Sequence, residues 1–238
     1  MIKILMLMKQ DDDVPLAAFR DFRKIGLPNA FISWDACRRY VQYDIHPDSP
    51  QLAFPLPLEL TVDAIDEIWL DETLDDQDTS IVTQFEEKLA ASLFNHFVGA
   101  AKLYAIEKRE VKPIGSGEIS ETYLKRLVLL ARKQGSTHEQ FLSHWNNIHA
   151  NLLIAVKPGP LRYCQLCVLS ELRAPTQVKE MNVDIDGLSE SWFTDERAMN
   201  AGRETAEGIA LAADNAKYVG CSKRIFFDER EILNRVPN

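Results

Sequence analysis

The chain has 238 residues, of which 46% are hydrophobic and 26% charged, and its net charge is −9. That composition belongs to a globular protein able to bury a core. The acidic balance works against nucleic acid and anionic membrane as partners, since both attract basic surfaces. The opening MIKILMLMKQDDD has too short an apolar run for a spanning helix or a secretory h-region, so the expected compartment is the cytoplasm.

Taken in chain order, each half reads as strand, helix, strand, strand, helix, strand. An apolar run ending in Lys9-Gln10 is the first strand, and RLVLLARKQ (126–134) repeats it. Phe19 in the first helix has a counterpart in Phe141. RRYVQ (38–42) recurs as LRYCQ (161–165), Glu67 and Trp69 recur as Glu190 and Trp192, and HFVGAAK (96–102) recurs as KYVGCSK (217–223). The landmarks keep their order at nearly constant spacing, which marks a duplication. The first helix of the second half opens with Ser136-Thr137-His138-Glu139, a capping-box pattern with Ser136 as cap and Glu139 reaching back. The unit is the split βαβ, ferredoxin-like one. This predicts an α+β protein with one repeat over 1–111, a Pro/Gly/Ser-containing linker over 112–121, and a second repeat over 122–238.

Such a unit covers one sheet face with helices and leaves the other bare. Packing the two bare faces together closes an intramolecular barrel. The apolar alternation assigns Val41, Tyr43 and Ile45, and likewise Cys164, Leu166 and Val168, to the helices. Tyr40, Gln42, Asp44 and His46, with Tyr163, Gln165 and Cys167, then line a mixed polar and aromatic cavity at the barrel centre. Cys164 and Cys167 form a C-x-x-C, but on a strand they point to opposite faces, as buried thiols rather than a redox or zinc pair.

Phe141, Trp145 and His149 at four-residue spacing, then Arg162-Tyr163-x-Gln165, then Glu190-x-Trp192-Phe193, resemble the EthD-type branch of the dimeric α+β barrel superfamily. The likeness covers the C-terminal half, and the N-terminal half follows loosely, so the chain resembles a fused tandem of two such units. The resemblance implies small hydrophobic or aromatic ligands. It also implies cofactor-free dehydratase, cyclase, isomerase or monooxygenase chemistry, haem binding in some branches, and non-catalytic members. A homodimer of the fused barrel is a further expectation. Opposite Trp145 and His149 the first repeat has Arg23 and Leu27, so one working site or two unequal ones are expected.

Several groups are candidates. His149 lies on the inner stripe of its helix with Trp145, while His144 lies off that stripe and should be exposed. Five residues apart on an α-helix, the two histidines are about 140° apart and should not share one metal. No metal site is expected. Glu67 and Glu190 should point into the barrel beside Trp69 and Trp192, where desolvation would raise their pKa, or pair with Arg132, placed opposite Met8. Asp44 should orient His46 on the same strand face. Tyr40 and Tyr163 could donate to a substrate oxygen, with Gln42 and Gln165 positioning it and the tryptophans binding rings. The prolines of 46–61 and the long segment 171–184 could cover the cavity mouth. The expected function is a cofactor-independent lyase or isomerase using general acid–base chemistry on a small aromatic or polyketide-like substrate. The alternatives are a cofactor-free or haem-assisted monooxygenase and a non-catalytic binding protein.

Overall fold

The computed structural model describes residues 1–47, 49, 56–71, 79–115 and 123–236. In the first repeat, β1 (Ile2–Gln10) leads to α1 (Leu16–Asp21), a π-helical turn (Phe22–Gly26) and α2 (Leu27–Ile32). Then come β2 (Cys37–Ile45), β3 (Leu56–Pro57), β4 (Ala64–Leu70), α3 (Thr79–Ala91), α4 (Phe94–Phe97) and β5 (Val98–Lys112). The second repeat follows the same plan. It has β6 (Leu124–Arg132), α5 (His138–His144), a π-helical turn (Trp145–His149), α6 (Ala150–Ala155), β7 (Arg162–Leu172), β8 (Lys179–Glu180) and β9 (Gly187–Phe193). It ends with α7 (Glu196–Arg203), α8 (Ala206–Tyr218) and β10 (Val219–Asn234). Most of the expected linker lies outside the described residues. The cap of α5 is Thr137 with Gln140, one residue later than the sequence pattern suggests.

The strands run β1-β4-β2-β10-β6-β9-β7-β5, and β5 pairs back onto β1, closing an eight-stranded barrel. The last strand of each repeat does the stitching. β5, with 15 residues, pairs first with β1 and then with β7 of the other repeat. β10, with 16, pairs first with β6 and then with β2. This is the dimeric α+β barrel made within one chain.

Barrel closure reverses the expected faces. An eight-stranded barrel is just wide enough for its own side chains to fill it. Its interior takes Val41, Tyr43, Cys164, Leu166 and Val168 along with Leu5, Leu7, Leu127, Leu129 and Phe227. Tyr40 instead belongs to the core beneath the first repeat's helices, and Cys167 to the one beneath the second's. Because side chains alternate, reversing one assignment moves every residue of the strand. Among the described residues Val41, Tyr43, Leu166 and their neighbours fill the barrel interior, where the sequence led to the expectation of a central cavity. The two long connections plug one barrel end through Val62, Met181, Val183 and Ile185 rather than roofing a pocket. Residues 48 and 50–55 of the proline-rich segment lie outside the described residues. Cys164 and Cys167 do point to opposite faces as free buried thiols.

No helix among the described residues is long and apolar enough to cross a membrane.

Candidate functional site

The barrel's polar layer is an ion cluster. Lys108 from β5 lies 3.0 Å from Glu67 and 2.9 Å from Glu190, so one buried ammonium bridges the equivalent carboxylates of the two repeats. Tyr43 donates to Glu67 at 2.5 Å, and Arg162 donates to Glu190 at 2.7 Å. Burial would raise the Glu67 pKa, but Lys108, Tyr43 and Trp69 overcome it and hold the carboxyl down at about 2. The glutamates thus point inward as expected, but Glu67 is shifted opposite to the way an acid–base role requires, and both are engaged in holding the barrel together. Trp69 and Trp192 sit at the same end, each between two cations: Lys3 and Arg39 for the first, Lys125 and Arg162 for the second. Arg132 is far from this cluster in register and pairs with Asp186; the strand pairing sets Met8 opposite Ala101 and Leu130 opposite Ser222, so Met8 corresponds to Leu130.

The expected Asp44–His46 pair is absent. Asp44 accepts from Arg23 at 2.9 Å, whereas His46 is exposed and lies 3.0 Å from Asp228. The tyrosine–glutamine motif also has another task. A π-helical turn bonds residue i to i+5 and disturbs the regular carbonyl ladder. Gln165 Nε2 donates to Trp145 O at 3.0 Å, and Gln42 Nε2 donates to Arg23 O at 2.7 Å. In the first repeat residue 28 is proline and has no N–H, so Gln42 supplies the donor that carbonyl lacks. Tyr40 donates to Asp66 at 2.6 Å, while Tyr163 accepts from Gln165 at 3.3 Å. Because the motif clamps both helices alike, it reads as architecture.

A cavity of about 440 Å³ lies on the outer face of the barrel, under the helices of the second repeat. Its floor includes Arg126, Val128 and Leu130 of β6, Ser189 and Phe193 of β9, and Ser222 and Arg224 of β10. The roof includes Trp145, His149 and Leu153, with Met199, Gly202 and Arg203 of α7, Leu211 and Tyr218 of α8, and the 156–160 loop. Close packing shapes these walls. A Cβ on Gly187 would stand 2.4 Å from the Trp145 ring, and one on Gly202 would stand 2.0 Å from the Pro158 carbonyl oxygen.

His149 is 6% exposed, and its Nδ1 lies 3.1 Å from Asp214 Oδ2. Burial would raise the Asp214 pKa, but hydrogen bonds from Lys217, His144 and His149 hold it below the usual range. An ionised carboxylate only accepts, so Nδ1 carries the histidine proton and Nε2 keeps its lone pair. Among the described residues Nε2 has no hydrogen-bond partner, and His149 lines the cavity. Burial, only partly offset by Asp214, pushes the His149 pKa down to about 4, so the ring is neutral at pH 7. His144 is not the exposed residue expected: its Nε2 reaches the same carboxylate at 3.0 Å. The π turn between the two histidines makes residues five apart neighbours, which the α-helical angle did not allow for. Among the described residues no group of three or more His, Cys, Asp or Glu is arranged to hold a metal ion.

The floor carries positive charge. Burial and repulsion from Arg224 and Arg203 lower the Arg126 pKa to about 9. Arg126 donates weakly to Ser191 at 3.4 Å and stacks over Phe193. Sequence reasoning missed Asp214, Arg126, Arg203 and Arg224, although the duplication contains the signal. Matching strand registers place Ile4, Ile68, Ala101 and Leu103 of the first repeat where the second has Arg126, Ser191, Ser222 and Arg224. The first repeat's equivalent space is filled core, with the buried Arg23–Asp66 pair at 2.6 Å where the second has Trp145 and Ser189.

Residues 133–222 match the EthD domain model. No curated protein sequence matches the chain. Among solved structures, an anthrone oxidase-like protein has a TM-score of 0.58 at 13% identity, covering 99% of this chain and 94% of its own. A candidate monooxygenase from Fusobacterium nucleatum has 0.56 at 10%, covering 97% and 93%. Another from Lactobacillus acidophilus has 0.50 at 10%, covering 98% and 96%. At these identities the likeness shows the fold alone. It extends over both repeats, whereas the EthD match lies within the second.

Proposed function

We propose that the chain is an oxygenase for a small aromatic molecule, with its site in the outer cavity of the EthD domain. The observation that carries this is the Asp214–His149 pair, whose neutral Nε2 lone pair faces an apolar cavity that also contains guanidinium groups. In this reading His149 takes a proton from an activated C–H or phenol, the arginines hold the resulting anion, and Trp145 and Phe193 hold the ring. The anion passes an electron to molecular oxygen, and recombination of the radicals gives a hydroperoxide. Loss of water leaves a new carbonyl. For a methylene substrate the step balances: one methylene group and one molecule of oxygen give one carbonyl group and one molecule of water. Names of structural neighbours, two candidate monooxygenases and an anthrone oxidase-like protein, support oxygen over the lyase or isomerase reading. That second reading shares the proton abstraction, and a leaving group would depart in place of reaction with oxygen.

The donor set also fits haem, which needs a ring nitrogen free towards the cavity and cations for its carboxylates; His149, Arg126, Arg203 and Arg224 would hold it. Haem would supply redox chemistry towards oxygen. A Soret band in the purified protein tests for it. For the cofactor-free route, anthrone is the probe in an oxygen electrode. Uptake of one oxygen per quinone formed is expected, and it should be lost in His149→Gln. Equal turnover with and without oxygen would overturn the oxygenase reading in favour of elimination. The same proposal divides the chain at 112–121 into repeats 1–111 and 122–238.

A further inference from the structure

Three arginines converge on this cavity from different elements: Arg126 from β6, Arg224 from β10 and Arg203 from the end of α7. Among the described residues no carboxylate lines the cavity. Among the described residues, too, no carboxylate acts on Arg126 or Arg203, and the Arg126 Nε is buried without a hydrogen-bond partner. This occurs in a chain of net charge −9, where acidic partners are plentiful. Elsewhere the fold neutralises buried cations directly, Arg23 with Asp66 and Lys108 with two glutamates, in contrast to Arg126. The first repeat fills the positions of Arg126 and Arg224 with Ile4 and Leu103, so the barrel itself does not need charge there. Like charges gathered in a partly dry space disfavour the empty state, and an anion would offset that.

We propose that the cavity selects an aromatic acid, its carboxylate held by Arg126, Arg203 and Arg224 and its ring system seated against Trp145, Phe193 and Met199 within reach of His149. The walls supply the apolar contact, with Leu130, Leu153 and Val156 completing it, and the volume lies in the range for small-molecule pockets. The inference rests on the functional reading only in taking this cavity as the substrate site. The acid group is an anchor and is separate from the carbon or oxygen that loses its proton. Charge–carboxylate hydrogen bonds from planar guanidiniums give both strength and orientation.

Binding tests this without turnover, so its failure is distinguishable from failure of the oxygenase reading. Calorimetry with 2-naphthoate and its uncharged relative 2-naphthamide should show the acid binding at least tenfold tighter. The preference should fall about tenfold in Arg126→Met and in Arg224→Met, and it should persist in His149→Gln. Saturation with naphthoate should shift the His149 imidazole resonances, which places the ligand in this cavity. Equal affinity for acid and amide, a preference unchanged in both arginine variants, or binding that leaves His149 unmoved would each overturn the proposal. If Arg126→Met fails to fold by circular dichroism, Arg224→Met decides alone.

Discussion

Acid should destabilise the native protein more than a His149→Gln variant, by an amount the burial of the ring determines. The His149 pKa falls from the ordinary 6.5 to about 4 in the folded state. Each unit corresponds to about 1.4 kcal/mol between the protonation states, so the full difference is about 3 kcal/mol. The sign follows from proton counting. Between pH 6.5 and 4 the unfolded chain takes up a proton on this residue and the folded chain does not. Unfolding is therefore increasingly favoured as pH falls through that window, and the loss is complete below about pH 4. Urea unfolding followed by tryptophan fluorescence at pH 7.5 and pH 4.5 measures the effect. Other acid-labile groups are common to both proteins and cancel in the difference. The stability gap between native protein and variant should shift by about 2–3 kcal/mol between the two pH values, at the native protein's expense. Asp214 raises the His149 pKa, so Asp214→Asn should move the His149 midpoint in an imidazole NMR titration below about 4, not towards 6.5. A gap constant to within about 0.5 kcal/mol, or a His149 midpoint near 6.5, would refute the buried neutral base.

Three further outcomes follow from the same geometry. Arg126→Met should make the ligand-free protein more stable by about 1 kcal/mol, a rise in Tm of roughly 2–4 °C by calorimetry, because it removes a desolvated cation repelled by Arg224 and Arg203. Lys108→Met leaves Glu67 and Glu190 without their shared cation and should cost about 3–5 kcal/mol in urea unfolding, much of it recovered by adding Glu67→Gln. Gln42→Leu should cost about 1–3 kcal/mol and more than Gln165→Leu, since Arg23 O faces Pro28 while Trp145 O keeps the Ala150 N–H; equal losses would undo the π-turn argument.

The duplication, the order of elements along the chain and the barrel were legible because hydrophobic periodicity and repeated landmarks are local signals summed over a long chain. The faces of β2 and β7 were not. Alternation tells which residues share a face, but not which face lies inside the barrel and which under the helices, since both are buried once eight strands close. His149 was legible from its stripe with Trp145. Its partner was not, because Asp214 stands 65 residues away in a helix with no motif around it. His144 was misplaced because a π turn, invisible in the spacing, rotates it towards the same carboxylate.

Duplication supplies a control that a single-copy domain lacks. Both repeats share the barrel, the π turn and the tyrosine–glutamine pair, yet the first has a filled core, its buried Arg23 paired with Asp66, where the second has a cavity. A residue type kept in both halves is then explained by what both halves need. Tyr40 and Tyr163, Gln42 and Gln165, and Glu67 and Glu190 all meet that description, and each has a structural bond that accounts for it. Residues polar in one half and apolar in the other need a different explanation, since the fold demonstrably forms without them. His149 against Leu27, Arg126 against Ile4 and Arg224 against Leu103 are such residues, and all of the polar members line one cavity. Reverting Arg126 to the first repeat's isoleucine therefore separates the two requirements: the barrel should keep its stability while the cavity loses its preference for an acid.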